Sequence, residues 1–360
     1  VLITGGAGFV GSRLAAAFRR DGADVVALDN LRRRGSEGNV TALARLGVRF
    51  VHGDVRHRED LDDLEGTFDV LVDASAEPSV HAGVGGAPSY VIQTNLVGTL
   101  NCLELARSRA GALVFLSSSR VYSLAPLRGL ALEERPTRLA LRDGQAVPGV
   151  SQHGIAEGFP TDGPRSLYGA SKLAAELFVQ EYAETFGLRA VIDRCGVISG
   201  AGQFGRSEQG VVALWVANHH FGLPLRYTGF GGEGKQVRDL LHPEDLYALV
   251  RIQLGEIDRI SGRAFNAGGG LPRSVSMLEL TGLCREATGR EVDIASVPET
   301  SPVDIPLYVS DNARAEAELG WTPERGPADI VAEIAAWLAE REVELRPLFA
   351  PAAVPVGVPT

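Results

Sequence analysis

The sequence predicts an α/β fold in which a doubly wound parallel sheet carries a smaller, interleaved C-terminal substrate-binding domain. Two observations predict it. Short apolar, β-branched runs alternate with helical stretches through the first half of the chain, and polar or glycine-rich motifs follow those runs. In such a fold, ligands sit at the carboxyl ends of the strands, where the motifs fall.

The expected strands are Val1-Ile3, Val25-Asp29, Phe50-Val51, Val70-Ala74, Val114-Ser117 and Ala190-Arg194. Their length and β-branched content suit buried parallel strands. The expected helices, at Gly11-Arg20, Val40-Leu46, Ile92-Ala110 and Leu167-Phe186, carry apolar residues at helical spacing. Residues 1–195 then form one domain, with an insertion at 123–166 over the active site. Residues 196–348 form most of the second. The Ala-, Pro- and Val-rich tail from Phe349 to the end, 349–360, is expected to be disordered.

The first strand runs into Thr4-Gly5-Gly6-Ala7-Gly8-Phe9-Val10-Gly11. A glycine turn between a strand and a helix start brings free N–H groups to a pyrophosphate, as in Rossmann folds; side chains at Gly5 or Gly8 are expected to block that approach. Asp29 closes the second strand, where a carboxylate accepts both adenosine ribose hydroxyls and repels a 2′-phosphate, so NAD is expected over NADP. Arg32-Arg33-Arg34 offers the opposite reading, a phosphate seat. Asp54 and Val55 follow the third strand, with Asp54 reaching the adenine edge or capping a helix, and Ala74, Ser75 and Ala76 follow the fourth.

Ser118 follows the fifth strand, and Tyr168 and Lys172 stand in Tyr-Gly-Ala-Ser-Lys, four apart and so on one helical face. A free tyrosine has a pKa near ~10, and bringing it to ~7 takes roughly 4 kcal/mol, which an adjacent ammonium helps supply. These residues point to hydride removal from a sugar-like alcohol. Neither motif is decisive alone in a chain with 43 glycines; their order is.

At 360 residues the chain buries a sizeable core. A net charge of −10 and a pI near 5.3 argue against nonspecific binding to nucleic acid or anionic membrane. No apolar run reaches the ~18 residues of a membrane helix, and no signal-like segment opens the chain, so a cytoplasmic location is expected. The chain opens inside its first strand, and a short segment with the initiator methionine is expected before Val1. Cys102, Cys195 and Cys284 are few and widely spaced, and the seven histidines lack ligand spacing, so no disulfide framework and no metal site is expected. Arg238, in Arg238-Asp239-Leu240-Leu241-His242, is a candidate bidentate clamp for a diphosphate, the alternative being an ion pair with Asp239 or Asp245.

With these residues in view, the chain resembles the extended short-chain dehydrogenase/reductase family of nucleotide-sugar epimerases and dehydratases. The glycine motif, Asp29-Asn30-Leu31, Thr94-Asn95-Leu96-Val97-Gly98-Thr99, Tyr-Gly-Ala-Ser-Lys and Val237-Arg238-Asp239 carry the resemblance. Within the family it looks most like the CDP-paratose/CDP-tyvelose 2-epimerases, through Ser117 to Ser123, Gly163 to Tyr168, Arg194 to Val197, Gln209-Gly210-Val211 and Gly231 to Leu240.

The resemblance implies catalysis by Ser118, Tyr168 and Lys172. Ser118 bonds the sugar oxygen, Tyr168 takes and returns the hydroxyl proton, and Lys172 holds the ribose. It implies cofactor contacts from Gly5, Gly8, Phe9, Val10, Gly11, Asp29, Asn30, Asp54, Val55, Ala74, Ser75, Ala76 and Asn95, and substrate contacts from Ser118, Ser119, Arg120, Cys195, Gln209, Gly210 and Arg238. It also implies a homodimer pairing Ile92-Ala110 and Leu167-Phe186, and reaction at carbon 2 of a nucleotide sugar on retained NAD. The long insertion is expected to cap the pocket and to select the carbon. A 4-epimerase, 4,6-dehydratase or reductase on the same scaffold stays open, as does a 2-epimerase acting on another glycoside or nucleoside. Ser119 and Arg120, standing where dehydratases keep an Asp-Glu pair, argue against elimination. Relatives continue after Ile198 with Ala-Gly-Pro-Trp-Gln, whereas this chain has Ser199-Gly200-Ala201-Gly202-Gln203, which changes one wall of the sugar or base site.

Overall fold

The computed structural model describes residues 1–33, 35–83, 87–204 and 210–349. Its main sheet has seven parallel strands among the described residues: β1 (Leu2–Thr4), β2 (Val26–Asp29), β3 (Arg49–His52), β4 (Phe68–Asp73), β5 (Ala110–Ser118), β6 (Ala190–Cys195) and β8 (Arg263–Ala267), the intervening β7 (Val237–Leu241) joining a smaller sheet. The order is β8-β6-β5-β4-β1-β2-β3, so the winding reverses between β1 and β4 and opens a crevice there. β8 comes from the second half of the chain, which interleaves the two lobes; no motif in its sequence announced it.

Neighbouring residues on each strand point to opposite faces, and both are apolar because helices cover both faces. Ile3, Val72 and Val114 pack with Leu14 and Phe18 of α1 (Phe9–Arg20), Leu43 of α2 (Ser36–Arg45) and Leu249 of α6 (Pro243–Gly255). Leu2, Leu71 and Leu113 pack with Leu103 of α3 (Gly98–Arg109) and Val179 of α4 (Leu167–Phe186).

The helix expected over Ile92-Ala110 begins earlier and has a wide turn. An α-helical segment at Pro88–Ile92 passes through a π-helical turn, Gln93–Val97, into α3. The second lobe packs α5 (Val211–Phe221), α7 (Met277–Thr288) and α8 (Pro327–Glu340) through Trp215, Leu280 and Ile334.

Two expectations are corrected. Phe349 is not part of a disordered tail: it closes α9 (Glu342–Phe349) and stacks on Phe204 at 5.7 Å, while the rest of the tail lies outside the described residues. The insertion at 123–166 does not roof the cavity described below. It builds two small hairpins and buries Leu127, Ile155 and Phe159 against Tyr122, Ile305 and Tyr308, so it buttresses a wall from behind. Its apolar side chains find a ready surface in the 305–308 segment.

Candidate active site

The glycine turn is shaped first by the protein's own backbone. Gly5 has φ +63°, and a Cβ there would stand 2.8 Å from the Ala74 carbonyl oxygen; one at Gly11 would stand 2.2 Å from that of Gly5. Gly8 caps α1, and a Cβ there would meet only the Gly5 carbonyl oxygen, at 3.1 Å. Gly5 is thus also held by packing on β4's exit loop. Gly5 and Gly8 both line the crevice, and of the two Gly8 has the freer surroundings.

That crevice, a cavity of about 340 Å³, is lined by Gly5, Gly8, Asp29, Asn30, Val55, Ala74, Ser75, Ala76 and Thr94. Asp29 accepts from the backbone N–H groups of Ala7 at 3.1 Å and Leu31 at 2.8 Å; burial pushes its carboxyl up, and those bonds oppose the shift. Thr94 Oγ1 is buried with no hydrogen-bond partner among the described residues. A bare glycine face at a helix start, a carboxylate closing β2 and an orphaned hydroxyl fit a dinucleotide.

Asp54 does not turn to this cavity. It accepts from Asn30 Nδ2 at 2.8 Å and Arg56 Nε at 2.9 Å; burial raises its carboxyl, but the Arg56 hydrogen bonds outweigh it and hold the group below the usual carboxylate range. It caps no helix either, since His57 precedes the helix at Arg58–Asp62. Asn95, on the π turn, is fully buried and ties three elements. It accepts from the Glu77 N–H at 2.7 Å and donates to Ser171 Oγ at 3.1 Å and the Glu77 carbonyl at 3.1 Å. It therefore fixes β4's exit loop against α4.

A larger cavity of about 900 Å³ continues past Phe9, Val10 and Gly11 to Ser118, Ser119, Arg120, Tyr168, Lys172, Cys195, Gly210 and Arg238. Sequence and structure agree that these share one space; Gln209 lies outside the described residues. Ser118 ends β5, and its Oγ accepts from the Arg120 N–H at 3.1 Å, opening a 3-10 turn. Tyr168 and Lys172 lie on α4, capped by Ser166 through the Gly169 N–H at 3.1 Å. Burial pushes Tyr168 up to about 12, while a hydrogen bond with Ser118 and the charge of Arg120 pull the other way. Lys172 is 2 % exposed, donates to the Leu116 carbonyl at 2.8 Å and is pushed down by burial. Cys195 is buried, which holds its thiol well above the ordinary value and makes it a wall rather than a nucleophile.

Arg238 has neither partner considered from the sequence. It pairs with Asp304 at 3.0 Å and donates to the Ile305 carbonyl at 2.7 Å. Asp239 instead accepts from the Gly270 and Ser310 N–H groups, and Asp245 pairs with Arg325 at 3.2 Å. Burial and repulsion from Arg238 bring Arg120 down to about 10. Two guanidinium groups thus stand at the cavity wall, one paired with Asp304 and the other within reach of its charge, suiting a dianion. At the far end Trp215 and Tyr227 stack at 5.8 Å, both bonded to Thr281. No motif pointed to Asp304, Trp215 or Tyr227, whose roles depend on tertiary placement.

The chain is 32% identical to a CDP-paratose 2-epimerase from Salmonella typhi, over 94% of this chain and 98% of that protein. It superposes on a Thermus thermophilus UDP-glucose 4-epimerase solved with NAD, with a TM-score of 0.75, 27% identity and coverage of 94% and 98%. A dTDP-glucose 4,6-dehydratase from Streptomyces venezuelae, solved with NAD and TYD, gives a TM-score of 0.73, 28% identity and coverage of 96% and 99%. Residues 1–268 match the model of the NAD dependent epimerase/dehydratase family. By that match and these likenesses, the chain is an enzyme that belongs to this NAD-dependent family.

Proposed function

We propose that the enzyme inverts a carbon of a nucleotide-activated sugar, and that the carbon is C2. The observation that carries the reading is the composition of the wall around Ser118 and Tyr168. Ser119 and Arg120 follow Ser118, and Asp304, a carboxylate lining the cavity, is engaged by Arg238. A dehydratase needs an acid–base carboxylate pair beside the serine to eliminate water, and this wall supplies none among the described residues. The CDP-paratose 2-epimerase likeness supports C2 and a cytidine nucleotide.

NAD, when bound, supplies a reversible hydride acceptor. The chain's own residues do the rest. Ser118 Oγ donates to the reacting sugar oxygen, Tyr168 removes its proton and later returns it, and Lys172, anchored on Leu116, sits four residues behind Tyr168 on α4. Arg238 and Arg120 bind the diphosphate, exchanging Asp304 for substrate. The stacked Trp215 and Tyr227 give the planar base an apolar wall. Leu177, Phe178 and Phe186 stand exposed on α4 and support a homodimer joined through that helix and α3.

The test is proton NMR in heavy water, with purified enzyme, no added cofactor and CDP-, UDP-, dTDP- and GDP-hexoses. A product inverted at C2 without deuterium incorporation is expected from the CDP sugar. Loss of water from the sugar, or inversion at C4 alone, would overturn the proposal.

A further inference from the structure

The loops after β2, β3 and β4 meet on one aromatic ring. The Arg32 guanidinium lies 4.0 Å from the centroid of the Tyr90 ring, and that of Arg56 lies 5.1 Å from it. Arg56 is in turn pinned by Asp54 through its Nε at 2.9 Å, and Asp54 by Asn30 at 2.8 Å. Arg32 and Tyr90 both line the 340 Å³ cavity, Arg32 with Leu28, Asp29 and Asn30 from the end of β2 and Tyr90 with Ala74, Ser75 and Thr94 from beyond β4. Their stack therefore links these two segments at the adenosine end of the crevice.

We propose that the Arg32–Tyr90 stack, braced by Arg56 and Asp54, is a clasp that retains NAD by tying together the two segments that line the adenosine cavity. The inference assigns Asp54 a role other than reading adenine: its carboxylate sets the position of Arg56, and through it the tilt of the ring. It also gives Arg32 a π-face partner in place of a 2′-phosphate, in keeping with the carboxylate of Asp29 in the same cavity. An enzyme that returns the hydride it removed gains from a cofactor that does not leave between the two transfers, and a clasp at the end remote from Tyr168 leaves the reacting end free.

The experiment measures the release of NAD from purified holoenzyme, diluted into an NAD-consuming dehydrogenase and followed at 340 nm. Arg32→Met is expected to speed release roughly fivefold, the worth of an exposed cation–π contact, with Arg32→Lys intermediate because it restores a cation over the ring. Tyr90→Leu, which removes both stacks, is expected to release faster still. If Tyr90→Leu fails to fold, the solvent-exposed Arg32 variants carry the test. Release from Arg32→Met at the wild-type rate overturns the proposal. So does a variant whose NAD release is unchanged while its affinity for NADP falls, which would return Arg32 to the role of a 2′-phosphate seat.

Discussion

Asp193 accepts a hydrogen bond from Gln253 Nε2 at 2.6 Å, while its other oxygen and Gln253 Oε1 are both buried without a partner among the described residues. A proton on Asp193 Oδ2 would supply the donor that Gln253 Oε1 lacks and make the pair between β6 and α6 a reciprocal acid–amide one. Burial pushes this carboxyl up to about 7. The folded value lies above the unfolded one, so the pair's contribution is fully present below about 4, declines as pH rises from there, and is lost on passing about 7. Urea unfolding at pH 5 and pH 8 is expected to show lower stability at pH 8, and Asp193→Asn, which keeps a reciprocal pair, is expected to reduce that difference.

Gly8 and Gly11 are expected to fail differently when changed to alanine. A methyl at Gly11 meets the Gly5 carbonyl oxygen at 2.2 Å, so Gly11→Ala is expected to cost roughly 1–3 kcal/mol of stability by overpacking. At Gly8 the same contact is 3.1 Å, so Gly8→Ala is expected to fold and to lose NAD instead. Thermal melts and bound-NAD content separate the two.

Tyr168→Phe removes the hydroxyl proposed to carry the reacting proton and keeps the ring. Turnover is expected to fall roughly 10²–10⁴-fold. NAD content is expected to stay at the wild-type level, since the ring is kept. Retained turnover would transfer the base role elsewhere.

Arg238→Ala removes a cation and the ion-pair partner of Asp304 from the wall proposed to bind the diphosphate. KM for the nucleotide sugar is expected to rise roughly tenfold or more, with a smaller change in kcat. Arg238→Lys is expected to recover little, because an ammonium cannot reproduce the fork whose Nη2 reaches Asp304 and the Ile305 carbonyl while its Nη1 donates to the Val237 carbonyl.

The residues readable from the sequence are those whose chemistry is local. Gly8, Asp29 and the Tyr168–Lys172 pair are fixed by a strand end, a turn or one helical face, and each falls where its spacing placed it. The pairing of Asp54 was not legible, because its position after β3 says nothing of Arg56, two residues on, which engages the carboxylate. Asp304 was invisible for the opposite reason: it pairs with Arg238 across 66 residues of chain, and no short-range pattern encodes such a meeting. β8 belongs to the same class, since its place beside β6 depends on a crossover from the second half. The boundary of the expected helix at Ile92 was displaced because a π turn leaves the spacing of apolar residues locally out of step.

That turn has a consequence for how the chain tolerates change. Asn95 faces β4's exit loop and α4 from within the wide turn, and Thr99 donates to Asp73 at 2.8 Å from the helix beyond it. The two side chains are phased by a single extra residue in the winding, as two keys are phased by one tooth. Removing one residue between Gln93 and Val97 would leave an ordinary helix of nearly the same length and the same composition. It would swing one key away from its lock, so the segment's length is under a constraint that none of its individual side chains reveals.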